Sequence, residues 1–265
     1  MLAQLKIEWL KLKHYRTFWI LMILYIISIF GANYIVFQIM KQIYADKMRK
    51  GMAEALMGTH PYDFPTAWQM TAFVSSYLLF IPGLLIIISI TNEYAFKTHR
   101  QNIIDGWSRR QFISVKLMLT LIIAVLSTIV VFFTALTFGL AGEKPYSTDG
   151  LQYIGYFFIQ ALSYSLVALF FAILFKRGGL AIGVFFLYAL VLENLLSGLL
   201  NRYANNIGRY LPLESTDNLI PLPVFEKMQE QLIKPHNYTY LLIAALVYLI
   251  LYYAVIKRKF VTDDL

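Results

Sequence analysis

Six long runs of apolar residues alternate with shorter polar stretches: about Phe18–Met40, Ala67–Ile90, Phe112–Leu140, Leu151–Phe175, Gly178–Leu200 and Tyr238–Ile256. A hydrocarbon layer about 30 Å thick takes about 20 residues of α-helix to cross. Lipid offers no partner to an open backbone N–H or C=O, so each run predicts a membrane-spanning helix. The pattern therefore predicts an all-α polytopic membrane protein, one domain over residues 1–265. Pro82-Gly83 interrupts the second run and predicts a kink there. No internal repeat is evident, which leaves the inverted-repeat plan of secondary transporters unsupported.

Ahead of the first run, Leu2, Leu5, Trp9 and Leu12 fall at helical spacing beside Lys6, Lys11 and Lys13. This predicts a short elbow helix over residues 1–16, lying in the membrane interface and turning into the first span. An ordinary positive flank is the alternative. The first run is too long for a signal-peptide core and has no small-residue cleavage site behind it.

Composition agrees. With 59% apolar and only 14% charged residues, a soluble fold would lack the polar surface it needs. The net charge of +8 is not spread as a nucleic-acid footprint. Lys97, Arg100, Arg109, Arg110, Lys116, Lys176, Arg177, Lys257, Arg258 and Lys259 gather on one side with the N-terminal lysines, few acids among them. The basic residues of the other side are balanced by acids. An even number of spans then puts both termini on the positive, cytoplasmic side.

Of the external loops, the one from Lys41 to Thr66 begins as a continuation of the first span. It ends in Asp63-Phe64-Pro65-Thr66-Ala67-Trp68, where Pro65 suits a first helical position and Trp68 the outer interface. The other, 201–237, carries Leu211-Pro212-Leu213 and Leu219-Ile220-Pro221-Leu222-Pro223-Val224-Phe225, too apolar for a free linker. Short helices dipping back toward the membrane are predicted there. Lys176-Arg177-Gly178-Gly179 reads as a tight cytoplasmic turn.

Enzyme chemistry finds little footing. There is no cysteine, no G-x-x-x-x-G-K-[ST] phosphate loop, no H-E-x-x-H and no G-x-S-x-G. His14, His60, His99 and His236 are scattered over both sides. No catalytic residue, metal or cofactor is predicted. Tyr25, Tyr34, Tyr77, Tyr156, Tyr164 and Tyr188 fall in or near spans, as packing and interface aromatics do. Glu193 is an ionisable residue deep in the fifth run, where a carboxylate needs a partner, a cavity or water. With Asn194 it lines a translocation route or a subunit seam, or it is a hydrated group at the outer rim.

The segment 92–110 stands apart. Glu93 to Asp105 is helix-compatible, Ile103, Ile104 and Trp107 suit a partner groove, and Lys97, Arg100, Asp105 and Arg109 would fix a register. A solvated basic loop is the alternative. Here the chain resembles the ABC-2-type transporter permeases, the six-span membrane subunits of bacterial ABC exporters. The resemblance rests on Glu93-Tyr94, Thr98, Ile103-Ile104, Ser108-Arg109 and Lys116. It extends to Trp9 with Lys11-Leu12-Lys13, Asp63-Phe64-Pro65 with Trp68, and Leu211-Pro212-Leu213 to Pro221. One departure is Lys97, where the family commonly has Gly before the Thr.

The resemblance implies a coupling helix in the first cytoplasmic loop of a bacterial inner-membrane protein. Glu93, Tyr94, Lys97, Thr98, Arg100, Gln101, Asp105 and Gly106 would contact a separate ABC ATPase subunit. Two permease copies, a homodimer, would pair with two ATPase copies in the lipid and export a substrate. Two other readings remain: a membrane anchor or signalling subunit for an ATPase partner, and a self-contained ion-coupled transporter.

Overall fold

The computed structural model describes residues 2–223 and 237–262. It is all-helical, with no strand among the described residues. Helix α1 (Leu2–Lys13) turns at His14-Tyr15 into α2 (Arg16–Ala45), followed by α3 (Lys47–Met57), α4 (Thr66–Ser76), α5 (Phe80–Ala95) and α6 (Thr98–Ile104). Next come α7 (Arg109–Leu140), α8 (Gln152–Phe175) and α9 (Gly178–Phe186). A π-helical turn, Leu187–Leu192, joins α9 to α10 (Glu193–Tyr203). A 3₁₀ turn at Ile207–Tyr210 and α11 (Glu214–Asp217) precede α12 (Tyr238–Thr262). The predicted features at Val224, Phe225, Lys227 and Lys234 lie outside the described residues.

Among the described residues, five helices are long and apolar enough to cross a membrane: Arg16–Ala45, Arg109–Leu140, Gln152–Phe175, Gly178–Tyr203 and Tyr238–Thr262. The pair α4 and α5, bent by 45°, makes a sixth if taken as one span. These are compatible with a multi-pass membrane protein. Every predicted run coincides with one of them. The break in the second run falls at Tyr77–Leu79, not at Pro82-Gly83 as the sequence predicted. Pro82 sits in the first turn of α5, where no N–H is missed, and its ring excludes a helical carbonyl four residues earlier, at Leu78. Gly83 serves packing: a Cβ there would lie 2.6 Å from the Phe185 ring of α9.

Helix α8 is the centre of the bundle, touching α4, α5, α7, α9 and α12. Buried Ala124, Ala135, Ala161, Ala168, Ala172 and Ala181 let these backbones come close, as packing between membrane helices requires. One core cluster runs from Leu12 and Phe18 through Leu85, Phe112 and Phe185 to Phe260. A second joins Tyr25, Ile29, Trp68 and Phe157 to Leu219 and Leu241 toward the other end. Some polar groups inside pair across helices: Tyr62 Oη donates to Asn33 Oδ1 at 3.0 Å and Asn33 Nδ2 to Ser75 Oγ at 3.1 Å.

Two aromatic placements differ from expectation. Trp68, predicted at the outer interface, is fully enclosed, its indole stacked on Phe132 and donating to the Ser147 carbonyl at 2.9 Å. On α1, Trp9 does not share a face with Leu12. It is half exposed, edge-on to Trp19, while Glu8 and Leu12 turn inward.

The segment after α10 folds back along α8. Asp217 Oδ1 accepts from Gln160 Nε2 at 2.8 Å and Asp217 Oδ2 from Tyr164 Oη at 3.0 Å. Those partners lie about 12 and 18 Å along α8 from its first residue, at 1.5 Å per residue. The fold-back depends on Gly208, whose Cβ would sit 2.7 Å from the Cα of Ser197. Backbone cannot give way there, so Gly208→Ala should lower stability by about 1–3 kcal/mol. Gly155→Ala, into open space on α8, should be neutral or stabilising by about 0.5–1 kcal/mol. Thermal midpoints of the two variants in detergent check this, and equal midpoints would contradict the packing.

Candidate functional site

Segment 92–110 is built by its ends. Helix α5 stops at Ala95, and Lys97 takes the left-handed conformation at φ 54°. Glycine is the residue that fits this conformation most easily. The position where the resemblance expects glycine thus keeps glycine's geometry with a lysine in it, and α6 starts at Thr98. Gly106, at φ 97°, closes the segment. Ser108 then caps α7: its hydroxyl accepts from Gln111 N–H while the Gln111 side chain accepts from Ser108 N–H, a capping box.

Beneath the segment lies a buried ion cluster. Lys116 Nζ reaches Glu8 Oε2 at 2.5 Å and Glu93 Oε1 at 2.6 Å, and its side chain is fully enclosed. Lys11 Nζ, at the rim, lies 3.0 Å from Glu8 Oε1 and 3.3 Å from Glu93 Oε1. Two carboxylates thus face two ammonium groups, drawn from α1, α5 and α7. Burial pushes the Glu8 carboxyl up, but Lys116 and Lys11 outweigh it and hold it below the usual glutamate range. For Lys11 burial acts downward, and Glu93 and Glu8 outweigh it, raising the ammonium above the usual lysine value. The cluster continues into hydrogen bonds. His99 Nδ1 donates to the Glu93 carbonyl at 2.9 Å, and Asn92 Nδ2 donates to Tyr15 Oη at 2.7 Å.

The predicted contact residues divide on this geometry. Lys97, Thr98, Arg100, Gln101, Asp105 and Gly106 are exposed, Gln101 Nε2 donating to Asp105 Oδ1 at 2.9 Å. Tyr94 is half-buried, against His99 and under Lys176. Glu93 is turned inward onto Lys116 and offers no surface to a partner. Trp107 packs on the chain's own core. Phe96 and Ile104, 75% and 77% exposed, are the apolar tips of the segment. Phe96 was not singled out by sequence, although an aromatic just past an apolar span and before a basic run was a usable signal. Lys116, counted among membrane-flanking charges, also carried a signal: a lysine inside an apolar run needs a buried acid.

Glu193 and Asn194 sit at the opposite end. Glu193 Oε1 accepts from Leu213 N–H at 2.5 Å and Glu214 N–H at 3.1 Å, capping the start of α11. The carboxylate is buried and ties the fold-back segment to α10. Asn194 Nδ2 donates to the Ala189 and Leu190 carbonyls at 3.3 Å, satisfying acceptors in the π-helical turn.

The chain belongs to the family described as Protein of unknown function (DUF2705), whose profile matches residues 37–264. The match takes in Glu93, Lys116 and Glu193, and begins after Glu8 and Lys11. No curated protein matches the chain.

Removing the central cation should be costly. Lys116→Met leaves two carboxylates buried around an apolar side chain and should destabilise by about 3–5 kcal/mol. Lys11→Met, at the rim, should cost about 1 kcal/mol or less. Stability should also follow pH. The contribution of Glu8 is complete above its ordinary value of 4.5 and lost as pH falls through its lower folded value. That of Lys11 is complete below 10.5 and lost as pH rises through its higher folded value. Melting curves in detergent should show the first loss below pH 4.5 and the second above pH 10.5. A Lys116→Met protein as stable as the parent would remove the cluster from the account.

Proposed function

We propose that this family member is the permease subunit of an ABC-2-type transporter, exporting a substrate with ATP hydrolysed by a separate ATPase subunit. In this reading α4 and α5 form one broken span of six, and both termini and segment 92–110 face the cytoplasm of a bacterial inner membrane. Helix α1 is the elbow, and the fold-back segment after α10 is a re-entrant external element. Two copies pair as a homodimer and engage two ATPases.

The observation that carries the reading is α6. A helix of seven residues, Thr98–Ile104, holds exposed Arg100 and Gln101, with exposed Phe96 just before it and exposed Asp105 just after it. Such a mixture of apolar tips and fixed charges suits docking into a groove on a soluble protein. Its base is not a loose loop. Glu93, in the last turn of α5, is clamped by Lys116 of α7 and through it to Glu8 of α1. Displacement of α6 by a closing ATPase would thus be delivered to three helices together. Glu93 acts in this scheme as a positioning residue, and the exposed set makes the contact. The absence of a phosphate loop agrees with hydrolysis on another chain.

The reading is tested by purifying the chain from its native host in mild detergent and identifying what accompanies it. An ATPase at about one copy per chain is expected. Arg100→Glu combined with Phe96→Ser should cut its recovery about tenfold, equivalent to about 1.4 kcal/mol of binding, without lowering the thermal midpoint. Recovery of the chain alone, or undiminished recovery with the variant, would sink the reading.

A further inference from the structure

At the end of the bundle away from the ion cluster, the chain forms a half-open cavity of about 550 Å³. That is the size of a small-molecule site, about 300–1,000 Å³. Gln160 and Tyr164 of α8 line one side, Phe73 of α4 and Tyr77 just after it another, and Glu214 and Asp217 of the fold-back segment a third. The hydrogen bonds from Gln160 and Tyr164 hold the Asp217 carboxylate in place but bring it no positive charge. Among the described residues no Lys, Arg or His forms an ion pair with Asp217, Glu214 or the neighbouring Glu193. Arg209 also lines the cavity, one guanidinium against two carboxylates. The contrast with the other end, where every carboxylate in the cluster has its ammonium, is plain.

Two further features point to what the cavity accepts. Gln160 is buried, and its Oε1 has no hydrogen-bond partner among the described residues. A buried acceptor left open is costly unless something donates to it. Phe73 and Tyr77 pack edge to face at 5.3 Å, and Tyr77 is 67% exposed. Aromatic faces of this kind attract cations and cover apolar groups.

We propose that this cavity is a binding site for an organic cation, an ammonium group on an apolar body. Asp217 and Glu214 meet the charge, Gln160 Oε1 accepts from the ammonium N–H, and the Phe73–Tyr77 wall covers the apolar part. Burial pushes the Asp217 carboxyl up to about 7, the Gln160 and Tyr164 hydrogen bonds drawing it down and Glu214 and Glu193 adding to the rise. Of the other groups around it, Tyr77 at the end of α4 is uncharged and Arg209 shares the lining. The site is therefore charged above neutrality and loses charge as pH falls. Binding needs no ATPase, so it stands or falls separately from the transport reading. If that reading holds, the site names a substrate class.

The test uses the full chain in detergent and dansylcadaverine, a primary ammonium whose dansyl emission rises in an apolar setting, with its neutral N-acetyl derivative as control. Saturable binding of the amine, weak binding of the acetylated form, and weakening as pH falls through about 7 are expected. Asp217→Asn and Glu214→Gln should each weaken the amine about tenfold. Tyr77→Arg, at an exposed position that puts a positive charge in the mouth, should do the same and keeps the test sound if the acid variants fail to fold. No saturable binding, equal binding of the neutral derivative, or undiminished binding to a folded Tyr77→Arg protein would overturn the proposal.

Discussion

Everything at the basic end depends on Lys116. An ammonium group with no exposed surface is tolerable only with carboxylates against it, because the cost of taking each ion from water is several kcal/mol. Glu8 and Glu93 meet that need from two different helices. Apolar contacts alone would let α1, α5 and α7 slide past one another at small cost. A buried lysine shared by two acids fixes one register. It also sets where α5 ends, and so the place and direction of α6.

The two polar ends solve the problem of buried carboxylates differently. In the ion cluster, charge cancels charge. At the other end Glu193 is held by backbone N–H groups at the start of α11, and Asp217 by an amide and a phenol. Neutral donors stabilise an anion without removing its charge. One end therefore has its charge used up, and the other holds carboxylates with no ion pair among the described residues. In the proposed reading the first end receives the push and the second the ligand.

The long apolar helices were legible because run length is a strong constraint, and every run became a helix or a bent pair. Segment 92–110 was legible as a unit because polar residues that long between apolar runs need a purpose. What the sequence did not resolve was facing. Glu93 looks like a surface acid until Lys116, far along the chain, is seen to reach it. Trp68 carries the signature of an interface residue but fills a gap against Phe132. On α1 the spacing of Leu5, Trp9 and Leu12 is compatible with one face, yet the need to bury Glu8 beside Lys116 rotates the helix and leaves Trp9 outside. The break near Pro82 was expected at the proline, and steric exclusion puts it a turn earlier. In the first three cases a pairwise tertiary contact decided what a local pattern left open, and in the last a local clash did.

The central claim is that the exposed segment around α6 is where an ATPase docks. A photo-crosslinking amino acid placed in turn at Phe96, Ile104 and Tyr203 in living cells addresses it directly. Ile104 and Tyr203 are both 77% exposed but lie at opposite ends, so exposure alone cannot explain a difference. Adducts to an ATPase from positions 96 and 104, with none from 203, are the expected result. No ATPase adduct from the segment, or adducts equally from all three positions, would contradict the account.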